Sequence, residues 1–211
     1  MAREKKRAYH HGDLARALTE AATTLVEERG PDGLTLREVA AAVGVTHTAA
    51  YRHFEDKTAL LASIADAGFR ELAERLDAAV AIAPGDAIER LRAFGEAYVA
   101  FAMDHPAQYG VMFGPRLNES GRFPALEESI GAVVMALVRE IDAGQKAGVV
   151  RAGRKRDVGM SIWVFSHGYC ELVHRRRVKV KNRAVAIEYF HTLYAPLLAG
   201  LRPAPSPREA R

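Results

Sequence analysis

The chain is predicted to be all-α, with about nine helices, on three observations. Apolar residues recur at helical spacing along most of its length, helix caps and breakers punctuate them, and period-2 alternation is confined to Val178-Lys-Val-Lys. The composition agrees: 211 residues, 49% hydrophobic and 27% charged, are ordinary for a globular protein and exclude collagen-like, coiled-coil and fully disordered classes. No uncharged run reaches the roughly 18 apolar residues of a membrane span. The basic start Met1-Ala-Arg-Glu-Lys-Lys-Arg has no apolar segment behind it, so no secretory signal and no membrane partner are expected. A single cysteine, Cys170, rules out an internal disulfide framework and suits a reduced compartment, so a cytoplasmic location is expected.

The elements follow in order. Residues 1–8 read as a basic arm. From Asp13, Leu14, Leu18, Ala21/Ala22 and Leu25 make a helical stripe, which Gly30-Pro31-Asp32-Gly33 stops. Thr35-Leu-Arg-Glu38 is a capping box that opens a short helix through Val43. Gly44 suits a tight helix end, and Thr46 caps a third helix, Thr46–Phe54. Asp56 caps a long fourth helix carrying Leu61, Ile64, Gly68, Leu72, Leu76 and Val80, up to Ala83-Pro84-Gly85. A fifth helix starts at Asp86, with Leu91, Phe94, Tyr98 and Phe101 on one face, and stops at Asp104-His105-Pro106. An aromatic-rich segment, Gln108–Phe113, leads into a loop, Gly114–Pro124. Leu126, Ile130, Val133, Leu137 and Ile141 stripe a further helix to about Gly148, and two more cover about 157–174 and 184–201. The tail from 202 to 211, with Pro203-Ala-Pro-Ser-Pro, is predicted to be disordered.

The formal charge of +4 is unevenly spread. Residues 1–60 balance nine Lys/Arg against nine Asp/Glu, whereas residues 151–183 carry ten against Asp157 and Glu171. Charge alone would put a nucleic acid against the C-terminal half. A shaped reading element is found elsewhere. Residues 35–54 have the size and punctuation of a helix-turn-helix, whose second helix enters the DNA major groove. Val39, Ala40 and Val43 suit packing against Ala50 and Phe54. The second helix then turns Thr46, His47, Thr48, Tyr51, Arg52 and His53 outward, side chains short or planar enough to approach bases and phosphates. Thr35 at the preceding cap belongs with this surface, and Lys57, at the start of the fourth helix, suits a phosphate.

The stretch Tyr9–Phe69 resembles the N-terminal DNA-binding domain of TetR-family transcriptional repressors. The matching residues are Glu28-Arg29-Gly30, Leu34-Thr35-Leu36-Arg37-Glu38-Val39-Ala40, Gly44-Val45-Thr46, Tyr51-x-His53-Phe54, and Lys57 followed by Leu60-Leu61. The resemblance implies that Thr46, His47, Thr48, Tyr51 and His53 face DNA and that Lys57 holds its backbone. Thr-Ala-Ala at 48–50 departs from the family's commonest pattern, which bears on the operator sequence and not on the docking mode. The C-terminal part resembles a subgroup of the same family with a Trp–His–Gly signature, here Trp163-x-x-x-His167-Gly168, accompanied by His105-Pro106-x-x-Tyr109 and Met112-Phe113. This likeness implies a homodimer formed by the last two helices, a ligand pocket within each bundle, and release from a pseudo-palindromic operator. The implied domains are 9–56 for DNA binding, 57–83 as a connecting helix, and 84–201 for ligand binding and dimerisation.

Tyr98, Phe101, Tyr109, Met112, Phe113, Met135, Trp163, His167 and Cys170 are candidate walls for an apolar or amphipathic ligand, or simply core. His167, Cys170 and His174 share a helix face without an acidic fourth ligand, so no metal and no cofactor are expected. Nothing beside Cys170 suggests a catalytic base, and an enzyme using His167 is the disfavoured reading. A ligand-free regulator whose bundle only dimerises is the other alternative. The basic run Arg175–Arg183 reads as a solvated loop, with an anionic effector or a second DNA contact as lesser options.

Overall fold

The computed structural model describes residues 11–114, 117 and 121–204, with side chains from Leu14 onward. Among these residues there are nine α-helices and no strand. They are α1 (His11–Arg29), α2 (Leu36–Val43), α3 (His47–Tyr51), α4 (Lys57–Ile82), α5 (Ala87–Asp104), α6 (Pro106–Met112), α7 (Pro124–Lys146), α8 (Lys155–His174) and α9 (Arg183–Ala199). The predicted arm 1–8, residues 205–211 of the predicted tail and parts of the Gly114–Pro124 loop lie outside the described residues.

The chain divides into two compact units, residues 1–68 with 107–126, and residues 69–106 with 127–211. Helices α4 and α7 each belong in part to both, the first turn of α7, with Leu126, falling in the first unit. Residues 107–126, expected with the C-terminal domain, fall in the first unit.

In the first unit α1 buries Leu18, Ala22 and Val26, one residue per turn of the helix. Val26 takes the place expected of Leu25, which is half-buried. Helix α2 opens on the predicted capping box: the Thr35 hydroxyl accepts from the Glu38 N–H, and Glu38 accepts from the Thr35 N–H at 3.1 Å. It closes at Gly44, whose φ of 75° is the left-handed conformation that favours glycine. Helix α3 is shorter than predicted. After Tyr51 the His53 N–H turns back to the Ala50 carbonyl at 3.0 Å, tightening the last turn toward Phe54. Val39, Ala40, Ala50 and Phe54 are buried where the two helices pack.

Helix α6, read from the sequence as an irregular aromatic-rich segment, is anchored by long-range bonds. The Glu27 carboxylate at the end of α1 accepts from the Gln108 N–H at 2.8 Å and the Ala107 N–H at 3.3 Å. The buried Gln108 amide donates to the Ile64 carbonyl. Gly68 leaves room for Met112, whose sulfur would stand 2.6 Å from any added Cβ.

In the second unit α5 packs along α8 and α9. Asp86 caps it, accepting from the Ile88 and Glu89 N–H groups. Its inward residues Leu91, Phe94, Tyr98 and Phe101 are buried, each side chain contributing roughly 1.5–3 kcal/mol. Helix α7 buries Leu126, Val133, Leu137 and Ile141 as predicted, but Ile130 is exposed and Ser129 is buried instead. Arg90 ties α5 to Glu140 of α7 at 2.8 Å.

Candidate nucleic-acid interface and interior site

A threonine caps each helix of the α2–α3 pair. Thr35 caps α2 as described, and the Thr46 hydroxyl accepts from the Ala49 N–H at 3.2 Å to start α3. These caps turn the backbone sharply where each helix begins, which leaves the outer surface of α3 to its side chains. Thr35, Thr46, His47, Thr48, Tyr51 and Arg52 are exposed, Tyr51 to 54%. His53 is half-buried beside Phe54.

A tyrosine this open in a five-residue helix makes no contribution to the core, whose anchor there is Ala50 at 0% exposure. Lys57 is half-buried, and its ammonium donates to the Asp32 carbonyl at 2.7 Å. It therefore ties the α1–α2 turn to the start of α4. Sequence reasoning gave it only a phosphate. The Thr35 hydroxyl, with Arg29 beside it, holds the Glu38 carboxyl below the usual carboxylate range, so the capping box stays charged at neutral pH.

The residues expected to line one ligand pocket are divided. Tyr109, Met112 and Phe113 lie in the first unit, and Tyr98, Phe101, Met135, Trp163, His167 and Cys170 in the second. Met135 is 52% exposed and is not a cavity wall. It follows buried Val133 by two residues, about 200° around the helix, and so points the opposite way.

Among the rest, Tyr98, Phe101 and Cys170 are fully buried. His167 is half-buried, stacks on Trp163 with centroids 5.3 Å apart, and its Nδ1 is 3.4 Å from the Tyr98 hydroxyl. Burial holds its imidazole below the ordinary value, against the opposing pull of Glu171. His174 meets the Ala102 carbonyl at 2.9 Å. Among the described residues, no three His, Cys, Asp or Glu side chains are grouped as metal ligands.

A site not foreseen from the sequence is an open groove of about 530 Å³. The second half of α4 and the outer face of α5 line it with Ala79, Ile82, Ala93, Ala97 and Ala100, and Arg75, Arg92, Arg183, Glu89 and Glu96 add charge. The small alanines that make it read in sequence as ordinary helix formers.

An all-helical chain with an outward-facing short helix after a glycine turn defines a helix-turn-helix protein. Residues 18–64 match the family described as "Bacterial regulatory proteins, tetR family", and residues 91–194 match "Tetracyclin repressor-like, C-terminal domain". The chain belongs to the tetR family of transcriptional regulators. It is 37% identical over 78 residues to the HTH-type transcriptional repressor Rv3405c of Mycobacterium tuberculosis, a match spanning 37% of this chain and 40% of that protein. A Rhodococcus sp. RHA1 protein whose function is unknown is 30% identical, with a TM-score of 0.81 over 94% of this chain and all of that one. AibR, solved with isovaleryl coenzyme A and operator DNA, shares the fold at 20% identity, with a TM-score of 0.61 over 84% of this chain and 96% of its own. No helix among the described residues is long and apolar enough to cross a membrane.

Proposed function

We propose that the chain is a homodimeric transcriptional repressor that reads a pseudo-palindromic operator with α3 and is released by a small-molecule ligand. The observation that carries this reading is the exposed surface of α3, where Tyr51, His47, Thr48 and Arg52 stand clear of a buried Ala50. Hydroxyl, imidazole, phenol and guanidinium groups suit base edges and phosphates. Thr35, His53 and Lys57 flank α3 in sequence, and the Lys57 ammonium donates to the Asp32 carbonyl.

Exposed apolar residues support a dimer. On α8, Met160, Val164 and Leu172 stand at four-residue steps, and Gly168 between them opens onto free space. On α9, Val185, Tyr189 and Leu193 continue the same spacing. Two such stripes make a face that a second copy would cover, holding two α3 helices about 34–36 Å apart.

The AibR complex supports an effector, because that protein holds a coenzyme A ester and operator DNA in the same fold. In this chain the half-buried, stacked Trp163 and His167, backed by the buried Tyr98 hydroxyl, offer an aromatic and polar surface for a small apolar or amphipathic molecule. A ligand that favours one tilt of α4 by about 1–3 kcal/mol would separate the two reading helices enough to release DNA. The complete burial of Tyr98 and Phe101 favours a second reading, in which the bundle only dimerises. Thermal-shift screening separates the two: a stabilising metabolite supports the effector, and none supports the dimeriser.

Selection of bound sites from a random DNA pool tests the main proposal. An inverted repeat with half-sites one helical turn apart is expected. A pool that remains unenriched would overturn it.

A further inference from the structure

Residues 1–60, which include the helix-turn-helix, carry no net charge: nine Lys/Arg, four of them in residues 1–8, balance nine Asp/Glu. Phosphate neutralisation supplies much of the affinity of a DNA-binding protein, so exposed cations elsewhere in the chain would add to it. The loop between α8 and α9 is the strongest concentration among the described residues. Six of its nine residues from 175 to 183 are Arg or Lys, and none is acidic.

The loop is built to hold those charges outward. Its start is pinned to α8 by the Arg177 and Val178 N–H groups, both donating to the Leu172 carbonyl, at 2.8 and 3.0 Å. Arg176 takes a φ of 56°, a left-handed conformation that favours glycine and is here held by an arginine. Its far end is pinned by Asn182, which accepts from the Val185 N–H to start α9. Between these anchors exposure alternates: Arg177, Lys179 and Lys181 are exposed, and Val178 and Val180 are half-buried.

Two of the six cations are already paired, Arg175 with Glu171 and Arg183 with Asp104. Arg176, Arg177, Lys179 and Lys181 have no carboxylate partner among the described residues.

We infer that the 176–181 loop is a second, sequence-independent DNA contact, which lays Arg177, Lys179 and Lys181 against duplex phosphates. This rests on the DNA-binding reading above. The inward valines argue against a lipid surface, since nothing apolar is offered to a bilayer.

The test is a fluorescence-anisotropy titration of the full chain against a mixed-sequence DNA duplex over a range of salt. The combined variant R177A, K179A, K181A is compared with wild type and with the charge-keeping pair K179R, K181R. Three lost phosphate contacts lower the salt slope by about 2.7 per engaged loop. Raising salt from about 50 to about 200 mM then costs wild type about 40-fold more affinity than the triple variant, and the charge-keeping pair behaves as wild type.

An unchanged slope in the triple variant overturns the inference. So does a slope unchanged on DNA together with lost binding to phosphatidylglycerol vesicles, which would assign the loop to a membrane surface. If wild type itself fails to bind DNA, the broader reading fails first and the loop inference falls with it. If wild type binds but the triple variant matches it, only the loop inference fails.

Discussion

Gly95 lies where α5 packs against Tyr194 and Phe190 of α9, and replacing it with alanine sets two effects of known sign against each other. The added Cβ would stand 2.7 Å from Tyr194 Cε1 and 3.0 Å from the edge of Phe190. Ordinary contact begins at about 3.4 Å, so the Tyr194 ring must retreat by roughly 0.7 Å. It has little room to do so. Both rings are fully buried and stack at 4.7 Å, and the Tyr194 hydroxyl donates to the Leu91 carbonyl at 3.3 Å.

Overpacking of this kind costs about 1–3 kcal/mol, while alanine gains about 0.8–1.0 kcal/mol of helix propensity. The net expectation is a loss near 1 kcal/mol, which lowers Tm by about 2–4 °C in a chain of this size. Gly131→Ala is the control. It lies within α7, its Cβ meets nothing within 4 Å, and only the propensity gain of about 0.5–1 kcal/mol remains. Urea and thermal melts at one protein concentration read both variants. If Gly95→Ala proves as stable as Gly131→Ala, the close packing of α5 on α9 is refuted.

Glu27→Ala removes the acceptor for two N–H groups at the start of α6, at a cost of about 1–2 kcal/mol. Faster hydrogen exchange at residues 107–110 is expected, and unchanged protection would mean that α6 is held by other contacts. Leu172→Glu puts a charge in the exposed stripe of α8. Sedimentation should show a shift from dimer to monomer with the helical signal kept, and an intact dimer would place the interface elsewhere. Burial keeps the His167 imidazole below its ordinary value, so the folded state binds fewer protons there than the unfolded chain. That contribution to stability is present above about pH 6.5 and is lost as pH falls through the folded value. Melts of His167→Gln should therefore fall less steeply with acid than those of wild type, and parallel curves would contradict the buried assignment.

The sequence carried the local decisions well. Thr35, Thr46, Asp56 and Asp86 each cap the helix that follows them, because a short side chain reaching its own backbone depends on nothing distant. Helix α6 was hidden for the opposite reason. The carboxylate at its start comes from Glu27, about 80 residues away, and its buried amide answers Ile64. The ligand candidates were gathered by residue type, and type does not fix direction. Met135 stands outward because Val133 and Leu137 set the inner face of α7. The α4–α5 groove owes its shape to alanines at positions 79, 93, 97 and 100, which carry no chemical signal of their own. The tension between the charge map and the helix-turn-helix motif eases if one element reads bases and another supplies phosphate contacts.

The outward face of α3 is tested most directly by comparing Tyr51→Ala with wild type on a duplex enriched from a random pool and on a mixed-sequence duplex. Affinity for the enriched duplex should fall by roughly 5- to 150-fold, equivalent to about 1–3 kcal/mol, while binding to the mixed duplex stays as it was. Equal binding of both proteins to the enriched duplex would mean that α3 is not the reading helix.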